Sequence, residues 1–150
     1  MTVTNRETIR DGVATLLTTA LVGDGKPVQQ VYNHKSGDFA GQSPVVLVTS
    51  SGTDRSRVGT YTTFEPAFDL SLMIFVLYSD PDNGWSEADA EDRLDLVEAS
   101  VAEVVQNNYS NPGLWDRLVY AGPSQVLEAT VGGDEYLLEI VPLTAEKEDD

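Results

Sequence analysis

A single histidine, His34, and the absence of cysteine set narrow limits on the chemistry this chain can carry. Without cysteine there are no disulfides, thiolate nucleophiles or cysteine-based zinc sites. A histidine dyad would have to be built around His34, which stands beside Lys35 and Asp38 with no serine in an elbow-type turn. Its setting, the polar and glycine-containing run Asn33 to Gln42, reads as a solvated loop. Asp80, Asp82, Asn83 and Glu91 have the outline of a calcium loop, with Glu91 twelfth counting from Asp80. The pattern fails inside, because Gly84 and Trp85 stand where a ligand and the invariant glycine belong. A turn followed by a helix cap accounts for these residues. The glycines of Gly23 to Lys26 have the wrong spacing for a phosphate loop and follow a helix instead of preceding one.

The carboxylates Glu87, Asp89, Glu91, Asp92, Asp95, Glu98 and Glu103 are numerous, but acid–base work needs carboxylates in a cleft with pKa values pushed apart. Here they fall on the outward faces of a helix, which is a solvated surface. Arg55 and Arg57 stand out more. They close Ser50 to Arg57, read as a flexible turn segment with the densest positive charge in the chain. There they are suited to gripping carboxylates of a partner or of a neighbouring subunit, or else form a soluble hairpin tip. No catalytic, cofactor-binding or metal-ligating set emerges. The expectation is a structural or assembly role, no cofactor and no enzyme activity.

The elements that must position these residues are organised around Phe68 to Asn107. Leu70 to Tyr78 is a continuous apolar run rich in β-branched and aromatic residues, the composition of a buried strand. Asp80 to Gly84 breaks it with turn chemistry. Ser86 then offers an N-cap with Asp89 three residues on. Ala90, Leu94, Val97, Val101 and Val104 recur at helical spacing on one face. The strand alternates, with Leu70, Leu72, Ile74, Val76 and Tyr78 on one side and Met73, Phe75 and Leu77 on the other. A helix covers only one side. The other needs a second layer from the same chain or from a neighbour, so Met73, Phe75 and Leu77 join Arg55 and Arg57 as interface candidates.

Elsewhere, Thr4 to Glu7 reads as a capping box opening a helix whose apolar stripe is Ile9, Val13, Leu16, Leu17, Ala20 and Leu21. Short strands are expected at Val28–Tyr32 and Pro44–Thr49. Val58–Phe64 is expected as the returning strand of a hairpin, and Glu65 to Ala67 as punctuation. Leu114 to Leu118 reads as one helical turn that plugs Trp115 into the core. Gln125–Val131 and Glu135–Val141 flank Gly132-Gly133 as the clearest hairpin. The expected fold class is α+β, a mostly antiparallel sheet packed against one long and one N-terminal amphipathic helix. Residues 1–144 are expected to form one domain and 145–150 an acidic disordered tail.

The formal net charge is −16 and the pI about 4.1, unevenly spread. Residues 1–57 carry a net +1 and residues 58–150 a net −17. Such a surface repels nucleic acid and, unless screened, copies of itself. Lysine is confined to Lys26, Lys35 and Lys147, an acid-rich, lysine-poor balance that also resembles proteins of high-salt environments. No apolar run approaches the roughly 18 residues of a membrane span, and the first residues are polar, unlike a signal peptide.

Taken as a whole, the order resembles the tail terminator and tail-completion family of long-tailed bacterial and archaeal viruses. The features that carry this are the amphipathic helix from Arg6 to Leu21, the extended Val31-Tyr32, Ser43-Pro44-Val45-Val46 opening a strand, the alternating strand Phe68 to Tyr78, the helix after it and the closing hairpin. The resemblance spans nearly the whole chain and rests on architecture and length, without a diagnostic motif. It implies a virion protein, made in the host cytoplasm, that forms a six-membered ring at the tail–neck junction. Its partners would be the tail-tube protein and the head–tail connector, with DNA passing through without specific binding and no membrane involved. A head-closure or neck protein is the alternative within virus assembly, and a small enzyme or ligand-binding domain the alternative outside it. The acidity and the polar end after Leu143 depart from the family pattern.

Overall fold

The alternation of Leu70, Leu72, Ile74 and Val76 with Met73, Phe75 and Leu77 divides two cores in the computed structural model, which describes residues 3–57, 64–80 and 84–148. The elements are α1 (Arg6–Leu21), β1 (Gln30–Tyr32), β2 (Val45–Arg57), β3 (Phe64–Leu77), α2 (Glu87–Asn107), β4 (Arg117–Tyr120), β5 (Gln125–Val131) and β6 (Asp134–Glu146). The six strands form one sheet in the order β1-β2-β3-β6, and β6 gives its far edge to β4 and β5. All pairings are antiparallel except β1 with β2. The fold is α+β, with two helices and a larger share of sheet than the sequence leads one to expect.

Both helices lie on one face. Ile9, Val13, Leu17 and Leu21 of α1 and Ala90, Leu94, Val97 and Val101 of α2 pack on Leu70, Leu72, Ile74 and Val76 of β3 and Leu137, Val141 and Leu143 of β6. The Val, Leu and Ile side chains among them each contribute roughly 1.5–3 kcal/mol when fully buried. Ser86 caps α2 as its sequence indicates: Asp89 N–H donates to Ser86 Oγ, and Ser86 N–H donates to Asp89 Oδ2 at 2.8 Å. In α1 the cap is Asn5 and not Thr4, with Asn5 Oδ1 accepting from Glu7 N–H at 2.7 Å. On α2 the buried residue of the last turn is Val105, and Val104 is only partly buried.

The opposite face is sealed by the chain itself. Phe39, from the loop between β1 and β2, inserts among Val45, Leu47, Phe75, Tyr136 and Leu138, and the β5 residues Ala129 and Val131 pack at its border. Asp38 in the same loop approaches the turn between β5 and β6 so closely that a Cβ on Gly132 would sit 2.6 Å from its Oδ1.

Three further expectations change. Ser50 to Arg57 is strand, not flexible turn, paired with Phe64 to Leu70 across a bulge at Ser50/Gly52. Residues 58–63 of the expected returning strand lie outside the described residues. Phe64 begins β3, which runs unbroken through Glu65-Pro66-Ala67. Pro66 is tolerated because it lies at the end of the β6 pairing, where Pro66 O still accepts from Lys147 N–H at 3.1 Å and the missing N–H falls at the limit of the ladder and not within it. Leu114 to Leu118 is no helical turn. Its last residues enter β4, while Trp115, fully buried, is held by its Nε1–H donating to Asn108 O at 2.9 Å. The sheet also continues past residue 144, where the sequence suggests a tail. Ala145 is buried opposite Phe68 and Leu118, and Glu146 lies opposite Ala67 and Arg117. Residues 149 and 150 lie outside the described residues.

Candidate functional site

The five interface candidates do not form one patch. Arg55 sits within β2 opposite Pro66, and its Nη2 donates to Thr4 O at 2.9 Å. Its guanidinium lies 5.5 Å from the Phe68 ring centroid, on the helix-bearing side of the sheet. Arg55 therefore fastens the segment before α1 to β2 instead of projecting from a loop. Arg57 ends β2 opposite Phe64. Met73, Phe75 and Leu77 are on the opposite face. Phe75 is buried beneath Phe39 and Tyr136, with ring centroids 4.8 and 6.0 Å away, so it offers nothing to a neighbour. Met73 and Leu77 remain half-buried at the border of that cluster.

His34 is exposed, with Nδ1 2.9 Å from Lys35 O and its ring 5.7 Å from Tyr32. Asp80 forms a closed backbone pair with Trp85, N–H to O in both directions at 2.8 and 2.9 Å. Asp82 and Asn83, of the calcium-loop outline, lie outside the described residues. Among the described residues, no three of the ligand-forming types stand close enough to share a metal ion.

Glu87, Glu91, Asp92, Asp95 and Glu103 line the outer surface of α2. Tyr78, near the start of that helix, lies in their field. The charge of Glu87 foremost, then burial, Glu128, Glu91 and Glu135, raise its hydroxyl above the usual tyrosine value. Under the helix lies a polar group that the sequence reading passes over. Glu139 of β6 is 7 % exposed on the helix side of the sheet, and Ser124 Oγ–H donates to its Oε2 at 2.6 Å. Burial raises its carboxyl above the ordinary range, the Ser124 bond pulls it back, and Glu98 and Asp95 push it up again. Tyr120 Oη–H donates to Glu98 Oε2 at 3.1 Å, and burial foremost, then Glu98, raises its hydroxyl. The signal for Glu139 is a lone charge inside the apolar run Tyr136 to Val141.

Strand edges are the other feature that sequence reasoning missed. β4 is covered on its outer side, where Leu118 N–H donates to Tyr109 O at 2.8 Å. Among the described residues, no strand pairs with the outer edge of β5 or with β2 beyond Leu47 on its β1 side. Val126 and Leu127 of β5 are 54 % and 39 % exposed.

No family model matches the chain, and no curated protein does. It is similar to a chain in a solved structure described as the virion of native gene transfer agent (GTA) particle, with a TM-score of 0.45 and 15 % identity over 91 % of this chain and 84 % of that one. At that score and identity nothing about the role of this chain follows from the likeness.

Proposed function

We propose that this chain is a structural protein of a tailed-virus particle and not an enzyme. In the finer reading it is a tail terminator, whose ring caps the tail tube and joins it to the head connector. The observation that carries this is the division of charge over the fold. The near-neutral residues 1–57 form α1, β1 and β2, and the −17 of residues 58–150 falls largely on the outer face of α2 and on the β5–β6 hairpin. A ring that conducts DNA must not hold it, and acidic walls repel phosphate. Subunits that meet through the near-neutral part keep their strongly charged parts apart. The resemblance of the sequence to the tail terminator family also supports this reading.

The test is to mix the purified chain separately with tail tubes and with head connectors. Binding to the tube end that halts further elongation is expected. Binding to the connector alone moves the chain to a head-closure or neck role. Binding to neither, in low and in high salt, removes both readings.

A further inference from the structure

We infer that residues 34–41 form a strap that lifts as one body from the second core while the rest of the fold stays closed, and that salt holds it down. Its ends are pinned. Asn33 Nδ2–H donates to Asp11 Oδ1 at 2.6 Å, Tyr32 Oη–H donates to Gln42 Oε1 at 2.9 Å, and Tyr136 Oη–H donates to Gln42 O at 3.3 Å. Between those pins the hydrogen bonds among the described residues are all local. Ser36 Oγ–H donates to Asp38 O at 3.0 Å, Ala40 N–H to Asp38 Oδ1 at 2.8 Å, and Gln42 N–H to Phe39 O at 2.9 Å. None reaches a strand, so the stretch carries them with it. Phe39 is the one residue of the stretch that is buried. A segment with so little buried surface and no bonds to the sheet belongs to the part of a fold that opens locally.

Two features work against the closed position. Ala40 has a φ of 52°, in the left-handed region that disfavours a residue with a Cβ, so the closed loop stores strain. Asp38 is wedged against the β5–β6 turn, where a Cβ on Gly132 would lie 2.6 Å from its Oδ1, and Asp134 follows two residues on. Burial foremost, then the charges of Asp134 and Asp38, raise the Tyr136 hydroxyl, so both carboxylates gather round one group. No ion pair between described residues engages either of them. Their repulsion across the contact weakens as salt is added. Against these stands the burial of one aromatic ring, 4.8 Å from Phe75 and 5.5 Å from Tyr136. Lifting it bares Leu47, Phe75, Tyr136 and Leu138, on a face that Met73 and Ile140 already border. The helices stay on the opposite face of the same strands, so the sheet survives. The second apolar face is therefore exposed only while the strap is up, and ionic strength sets how often that is. The strap works in this way whether or not the chain belongs to a virus particle.

Leu47 and Val48 are neighbours on β2, 2 % and 0 % exposed, with Leu47 under the strap and Val48 under the helices. Because the protein has no cysteine, Leu47→Cys and Val48→Cys each supply one thiol whose labelling reports the opening of its own face. In low salt without denaturant, Leu47→Cys should react with a small disulfide reagent at least about tenfold faster than Val48→Cys, since only the strap has to move. Equal rates would show that both thiols wait for global unfolding, and would overturn the strap. Gly132 and Gly133 both have positive φ, so alanine strains the turn at either, but only a Cβ at 132 meets Asp38. Gly132→Ala should therefore accelerate labelling of Leu47→Cys at least about threefold more than Gly133→Ala does. The same acceleration from both would show that the Asp38 contact does not seat the strap. Asp134→Asn in low salt should slow labelling of Leu47→Cys about twofold and remove most of the further slowing by molar sodium chloride. A rate that Asp134→Asn leaves unchanged would overturn the control by charge.

Discussion

The ring of Phe39 lies 4.8 Å from that of Phe75, tilted by 60°, with the Tyr136 ring edge-on to both. A loop residue thus fills the face of β3 that the helices leave bare. Phe39→Ala is expected to cost about 3–5 kcal/mol, because the side chain is fully buried among groups that cannot collapse into its place. Urea unfolding measures the loss, and hydrogen exchange should show Asn33 to Gln42 losing protection first. An unchanged midpoint would show that the loop does not seal the second core.

Arg55 ties Thr4 O to the β2–Phe68 surface, so its removal should be felt as stability as well as charge. Arg55→Ala is expected to lower stability by about 1–2 kcal/mol through the lost charged hydrogen bond and stacking. Thermal unfolding checks this. A melting temperature equal to wild type would show that the Thr4 and Phe68 contacts add nothing to the fold.

Glu139 makes stability depend on pH. Its folded-state pKa is raised, so the ionised form is disfavoured by folding. The cost is absent below the unfolded pKa, grows as pH climbs from there to the raised folded value, and persists at neutral pH. Glu139→Gln, which keeps an acceptor for Ser124, is therefore expected to stabilise the protein by about 1 kcal/mol at pH 7 and to lose that gain in acid. Melting curves at several pH values decide it, and a gain that does not vary with pH would contradict the burial argument.

The charge of −16 predicts a marked response to salt. The ion pair of Arg117 Nη1 with Glu146 Oε1, at 3.3 Å, is exposed and is worth little, whereas repulsion among the carboxylates of α2 and β5–β6 is summed over many pairs. Melting temperature should rise steadily as sodium chloride shortens the Debye length from about 10 Å at 0.1 M to about 3 Å at 1 M. A flat or falling profile would show that self-repulsion is not what limits stability.

Ser86 satisfies the first turn of α2 through a reciprocal bond with Asp89, whose carboxyl is held below its usual range by those same Ser86 groups. Ser86→Ala is expected to cost about 1 kcal/mol. Chemical denaturation would detect it, and exchange of the amides at Asp89 and Ala90 would localise it.

Local signals of that kind are legible in the amino-acid sequence. The capping pair Ser86/Asp89, the helical spacing of Leu94, Val97 and Val101, and the Gly132-Gly133 turn each encode their geometry within a few residues. Long-range pairing is not encoded so locally. Ser50 to Arg57 is polar on both sides and lacks alternation, so nothing but its partner Phe64 to Leu70 makes it a strand. Pro66 reads as a break until it is known to stand where the pairing with β6 ends. Phe39 sits in a run of polar residues, and its role depends on an aromatic pair 36 and 97 positions away. Of the candidate interface, the basic character near Arg55 is visible in the sequence. Its tie to Thr4 is not, because that contact joins positions 51 residues apart in the chain.

Strand order also dictates when the molecule can be finished. β6 lies between β3 on one side and β4 and β5 on the other, yet every one of these precedes it in the chain. While the polypeptide is being synthesised, β3 waits with one side bare and β4 has no partner strand at all. The helices can form and dock early, but the sheet cannot close until β6 has left the ribosome. Until then the long edge of β3 is an open template for another chain, so the arrival of β6 is the step that removes it, and a chain stalled before Asp134 should aggregate where the finished one does not.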